Sequence, residues 1–141
     1  MSDDLSPALY EALAEFRFQI RRFQRFSDDA ARGADLEPQQ HQLLLAVKAA
    51  ADGRLTVGAV AERLQIQHHS AVELVARAEA RGLVERTQGQ VDRRQVFVSL
   101  TADGANALHA LSNEHRRELL NAAPELIQIL QRIIEAGTDR D

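Results

Sequence analysis

A chain of 141 residues suits one domain with a real hydrophobic core, and 45% hydrophobic residues with only 4% aromatics and 3 prolines suit a soluble, mainly helical protein. The absence of cysteine excludes disulfides, thiolate metal sites and thiol redox chemistry. No apolar run approaches the roughly 20 residues that span a bilayer, so a cytoplasmic protein with no membrane partner is expected. The formal charge of −4 argues mildly against a nucleic-acid partner, yet it is unevenly spread: Arg54 to Thr101 carries seven arginines against five acids, and the acidic excess lies outside that stretch.

Ser6-Pro7 is a helix-entry pair, and Leu9, Leu13, Phe16, Ile20 and Phe23 then recur at steps of four and three, which predicts a helix to about Ala30 with a narrow apolar seam. The seam can pack on its own domain or on a second subunit. Gly33 breaks the pattern, and Pro38 opens a second helix through Gln42, Leu43, Leu44 and Val47, ending near Asp52-Gly53. Arg54-Leu55-Thr56 is long enough only for an edge strand. A third helix is expected from Val57 to Leu64 and a fourth from His68 to Arg81, stopped by Gly82.

After Gly82 the period turns from helical to alternating. Leu83–Thr87 and Gln95–Leu100 read as two strands, and the link from Gln88 to Arg94, with Gly89, Asp92, Arg93 and Arg94, reads as an exposed hairpin tip. Thr101 can cap a fifth helix carrying Leu108, Leu111, Leu119 and Leu120, with Pro124 expected to mark a kink or a fresh start near Asn121. Leu126, Ile127, Leu130, Ile133 and Ile134 make the last helix the most apolar of all, and a second copy of the chain is its simplest cover.

Two short helices joined by a turn of about three residues and followed by a basic hairpin make a helix-turn-helix with a wing. The expected fold class is therefore mainly α with a small β-wing. Residues 37–100 form the winged helix-turn-helix, and residues 1–36 and 101–141 form a helical dimerisation region.

At this point the sequence resembles a known family. Val60-Ala61-Glu62-Arg63-Leu64, Leu74-Val75, Arg77, Glu79, Arg81-Gly82-Leu83-Val84-Glu85-Arg86, Asp92-Arg93-Arg94, Leu100-Thr101 and Gly104 are similar to the MarR family of winged-helix regulators. Its wing signature, an aspartate, an arginine two residues later and a closing Leu-Thr, is matched by Asp92, Arg94, Leu100 and Thr101. The resemblance implies a homodimer with intertwined terminal helices, presenting two winged heads to a pseudo-palindromic operator in double-stranded DNA. It implies a transcriptional regulator, most often a repressor. It also implies a small aromatic or lipophilic effector bound between the dimer helices and the winged head. Where family members often place glycine in the turn and serine or threonine at the cap of the second helix, Gln65 and Gln67 stand here.

Gln67, His68, His69 and Ser70 start the fourth helix, where side chains and free amides can meet bases and phosphates. Glu73 and Arg77 follow on that helix, and they can contact DNA or pair with each other across one turn. An acid at Glu73 repels phosphate unless it is neutralised or accepts from a cytosine amine. Arg94 resembles the family's minor-groove arginine, Asp92 can hold the hairpin by pairing with it or with a nearby amide, and Arg86 and Arg93 are expected to neutralise phosphates. Phe16, Arg17, Phe23, Phe26 and His41 can line an effector pocket or pack the core. The histidines at 41, 68, 69, 109 and 115 show no three- or four-residue zinc step, so no metal and no cofactor is expected. No phosphate loop, catalytic triad or clustered carboxylates point to an enzyme. The alternative is a winged-helix interaction module without DNA binding.

Overall fold

The computed structural model describes residues 5–138, so the outermost ends of the expected dimerisation region, 1–4 and 139–141, lie outside the described residues. The elements run in the order α1 (Pro7–Gly33), α2 (Pro38–Ala49), β1 (Arg54–Thr56), α3 (Val57–Leu64), α4 (His68–Ala80), β2 (Val84–Gln88), β3 (Val96–Leu100) and α5 (Ala102–Thr138). They group into two compact units, residues 30–112 and the paired segments up to 29 and from 113.

The 30–112 unit is the winged head. Its boundaries are set by local chemistry at helix ends. Glu37 precedes Pro38 at the first position of α2, and its backbone N–H donates to Gln40 Oε1 at 3.0 Å. Thr56 caps α3 by accepting from the Ala59 amide at 3.1 Å, and Thr101 caps α5 by accepting from the Gly104 amide at 3.0 Å. α4 ends where Gly82 enters the left-handed region at φ 74 and the Leu83 amide reaches back to the Ala78 carbonyl at 3.0 Å.

Antiparallel pairing puts β3 at the centre of a three-stranded sheet, with β1 on one side (Leu55 opposite Val98) and β2 on the other (Arg86 opposite Val98). Beneath it, Leu43, Leu44 and Val47 of α2, Val60 of α3, Leu74 and Val75 of α4, Val84 and Val98 of the sheet, and Leu111 of α5 form one core. Their burial fixes the second helix of the helix-turn-helix against the first and against the hairpin, which is what a docking surface needs.

In the other unit, Ala12 and Ile129 are fully buried. The imidazole of His115 is also buried there, edge-on to Phe23 and Phe26 with ring centroids at 5.9 and 5.4 Å, and its Nε2 lies 2.8 Å from Ser27 Oγ. Tyr10, Phe18, Leu120, Ile127, Leu130 and Ile134 stay exposed, and of the expected α1 seam Leu13 and Ile20 remain open.

Three expectations are corrected. The first helix stops not through Gly33 but through Asp35, at φ 61, with the Leu36 amide bonded to the Ala31 carbonyl at 2.9 Å. α2 ends at Ala49, short of Asp52-Gly53. α5 runs on through Pro124 with no fresh start. Proline's fixed φ suits a helix, and the bond it cannot donate would go to Leu120, which lies exposed like Pro124 itself, where water can serve instead.

Candidate nucleic-acid interface

The sequence between α3 and α4 makes the turn with a residue poorly suited to it. Gln65 takes φ 56 and ψ 46, a left-handed conformation that favours glycine, and its side-chain amide donates to the Glu62 carbonyl at 2.7 Å. Gln67 precedes α4 without a side-chain cap, so the first-turn amides of α4 are left to other partners.

At 100° per residue, the buried side chains of α4, Ala71, Leu74, Val75 and Ala78, define an inner face. The opposite face carries His69, Glu73, Ala76 and Ala80, all exposed. Gln67 and His68 are exposed at the helix start, and Ser70 is half-buried. Arg77 lies beside this outer face but does not pair with Glu73. Its guanidinium reaches Glu37 Oε2 at 3.2 Å, a residue 40 positions earlier, so in place of the alternative one-turn ion pair there is a tie from α4 to the start of α2. Arg81 makes a parallel tie to Asp35 at 3.3 Å.

The wing is built from its own polar groups. Asp92 Oδ1 accepts from the Arg94 amide at 3.0 Å and from Arg94 Nε at 3.3 Å, Gln88 Nε2 donates to the Arg93 carbonyl at 2.6 Å, and the Gly89 amide donates to the Gln95 carbonyl at 2.9 Å. A side chain at position 89 would run into the Asp92 carbonyl oxygen, so only glycine fits that turn. The result is a preformed tip on which Arg94 is 93% exposed and Arg93 is exposed beside it. Between wing and helix lies a cleft of about 370 Å³, lined among others by Gly58, His68, Val72, Arg86, Arg94 and Gln95.

Arg86, at the base of the wing, is held by Glu79 of α4. The Glu79 carboxylate accepts from Arg86 Nη2 at 2.7 Å, from Nε at 3.1 Å and from the Arg86 amide at 3.1 Å. These hydrogen bonds hold the Glu79 carboxyl below its ordinary range and raise the guanidinium of Arg86 above its own.

A helix-turn-helix followed directly by a hairpin with an aspartate-pinned arginine is the geometry on which comparison with known proteins bears. Residues 34–95 match the model of the MarR family. The match covers most of the winged head. The whole fold is similar to that of AbsC, a MarR family transcriptional regulator from Streptomyces coelicolor (TM-score 0.74, 17% identity, 99% of this chain and 100% of that one). It is also similar to a mutant of E. coli MarR complexed with operator DNA (TM-score 0.68, 20% identity, 90% and 91%). A third likeness is to BpsR of Bordetella bronchiseptica, whose DNA binding is regulated by 6-hydroxynicotinic acid (TM-score 0.65, 18% identity, 89% and 91%). No curated protein matches the sequence at a significant level.

Within this winged head, Gln67, His68, His69, Ser70, Glu73 and Arg77 come together on α4, and Asp92, Arg93 and Arg94 on the wing. The residues considered for an effector pocket fall in both units. Phe23 and Phe26 meet around His115, Phe16 is half-buried, Arg17 is exposed, and His41 is buried in α2 among the core residues of the head. Among the described residues, no group of three or more His, Asp or Glu side chains is placed to hold a metal.

Sequence reasoning missed Glu79 and Glu37 as partners of the arginines. An acid in the last turn of α4 followed by an arginine two residues into β2 is a readable signal for the first pair. Nothing local signals the second.

Proposed function

We propose that the chain is a sequence-specific DNA-binding transcriptional regulator and not an enzyme, acting as a homodimer on a pseudo-palindromic operator and repressing from it. The observation that carries this reading is the pairing, on one head, of an outward α4 face free of bulky core residues with a wing whose arginine is pinned in place by Asp92. α4 then enters the major groove with Gln67, His68, His69, Ser70, Glu73 and Arg77, while Arg94 enters the neighbouring minor groove. The phosphate strand separating the grooves crosses the cleft between them, which His68 of the first turn of α4 and Arg94 both line. The likeness of the fold to a mutant of E. coli MarR complexed with operator DNA supports a DNA partner.

Dimerisation is supported by the large apolar side chains left open on α1 and the end of α5, such as Tyr10, Phe18, Leu120 and Ile134, each at least half exposed in the single chain. No helix among the described residues is long and apolar enough to cross a membrane. A cytoplasmic location is part of the proposal, since a regulator of this kind works on chromosomal DNA. A small aromatic acid is the proposed effector, with Phe16, Arg17, Phe23 and Phe26 as candidate contacts in the unit of the chain ends; the regulation of BpsR by 6-hydroxynicotinic acid supports the ligand class. Such a ligand releases DNA only by favouring a dimer geometry that misfits the operator.

The test is fluorescence anisotropy of the purified protein on its own upstream DNA and on random DNA at several salt concentrations. Tight, salt-sensitive binding at two protomers per site, weakened by Arg94→Ala, is expected. Failure on this and other promoters would leave a winged-helix interaction module as the better reading.

A further inference from the structure

Glu73 is the one charged group on the outermost face of α4. Its neighbours there are Ala76 and Ala80 on the following turns and His69 one turn before, so the carboxylate stands clear of other long side chains. The alanines also allow close approach of the helix to a groove floor. Glu73 is not neutralised: Arg77 is committed to Glu37 and Arg81 to Asp35, and among the described residues Glu73 has no ion pair. A bare carboxylate carried into a channel walled by phosphates is costly unless it finds a donor on a base.

An ionised carboxylate only accepts hydrogen bonds. In the major groove guanine presents two acceptors, N7 and O6, and thymine an acceptor and a methyl group, so neither can satisfy it. Adenine offers a donor at N6, but its N7 lone pair lies alongside and repels the second carboxylate oxygen. Cytosine presents a 4-amino donor with no acceptor beside it on its own edge. We propose that Glu73 is a specificity-determining residue that reads a cytosine 4-amino group once in each half-site. The proposal rests on the regulator reading and goes further by naming the base.

A randomised duplex library is selected with wild type, Glu73→Gln and Glu73→Ala, and the enriched half-sites are compared. Glutamine keeps the length but adds a donor, the pair of functions that adenine N6 and N7 require. The expected result is a cytosine at one position of each wild-type half-site that becomes adenine with Glu73→Gln, a change in preference on the order of tenfold or more. Glu73→Ala should lose preference at that position alone, binding duplexes that lack the cytosine more tightly at low salt. If both variants keep the wild-type preference everywhere and merely bind more tightly, Glu73 only repels, and the proposal falls while the regulator reading stands. If wild type enriches no sequence, both fall together. Unfolding followed by circular dichroism should show the two variants as stable as wild type, since the side chain is exposed.

Discussion

The structure separates two arginines that look alike in the sequence. Arg94 projects from a pinned wing tip at 93% side-chain exposure, whereas Arg86 has both its guanidinium and its amide committed to Glu79. A cation that enters DNA releases counterions, and the slope of log affinity against log salt changes by about 0.9 for each phosphate neutralised on a duplex. With one Arg94 in each of two heads, Arg94→Ala should make the slope shallower by about 1.8. Between about 50 and 200 mM salt that corresponds to roughly a tenfold smaller loss of affinity for the variant than for wild type. Arg86→Ala should leave the slope nearly unchanged, because that charge is already balanced within the head. The assay is anisotropy titration on one duplex at five or more salt concentrations. An equal change of slope for the two variants, or none for Arg94→Ala, would refute the reasoning that internal pairing decides which arginines serve the DNA.

Three shorter predictions concern the scaffold. Gly104→Ala drives a methyl into the Leu83 carbonyl and should cost about 1–3 kcal/mol, while Gly58→Ala, with no atom within 4 Å of the new methyl, should gain about 0.5–1 kcal/mol from helix propensity; urea unfolding reads both signs. Because the folded Glu79 carboxyl lies below its ordinary value of 4.5, its pairing with Arg86 stabilises the fold above that value and is lost as pH falls through the lowered one, so the Tm gap between wild type and Glu79→Gln should close in acid. Asp92→Ala removes the acceptor for the Arg94 amide and guanidinium and should weaken DNA binding with little change in Tm, as measured by anisotropy and calorimetry.

What could be read from the sequence was what depends on neighbours in the chain. The change of period after Gly82, the Thr101 cap, the Asp92–Arg94 pair and the bounds of α3 and α4 all rest on contacts within a few residues, and each is present. The left-handed Gln65 and Asp35 were hidden because neither glycine nor asparagine marks them; each ends a helix where the next amide, of Ile66 or Leu36, bonds back to the carbonyl of Ala61 or Ala31. The Arg77–Glu37 tie and the grouping of His115 with Phe23, Phe26 and Ser27 join residues far apart in the chain, and no spacing rule reaches that distance.

The net charge posed the main difficulty for a DNA-binding reading, and the pairing pattern shows why a regional count resolves it only in part. Of the seven arginines from Arg54 to Arg94, Arg77, Arg81 and Arg86 are tied to acids of the same head, and Arg54 is stacked 4.0 Å over the ring of Phe97. The cations left to meet phosphate are few and lie mostly on the wing. A head so arranged gains little from non-specific attraction, which scales with the number of phosphates neutralised. Its residence on DNA must then come from base contacts by α4 and from the fit of the wing to the minor groove. An acidic residue at the centre of the α4 face works in the same direction, because it lowers affinity for every sequence that lacks its donor. Discrimination in this protein is therefore expected to rest on penalties against wrong sites as much as on attraction to the right one.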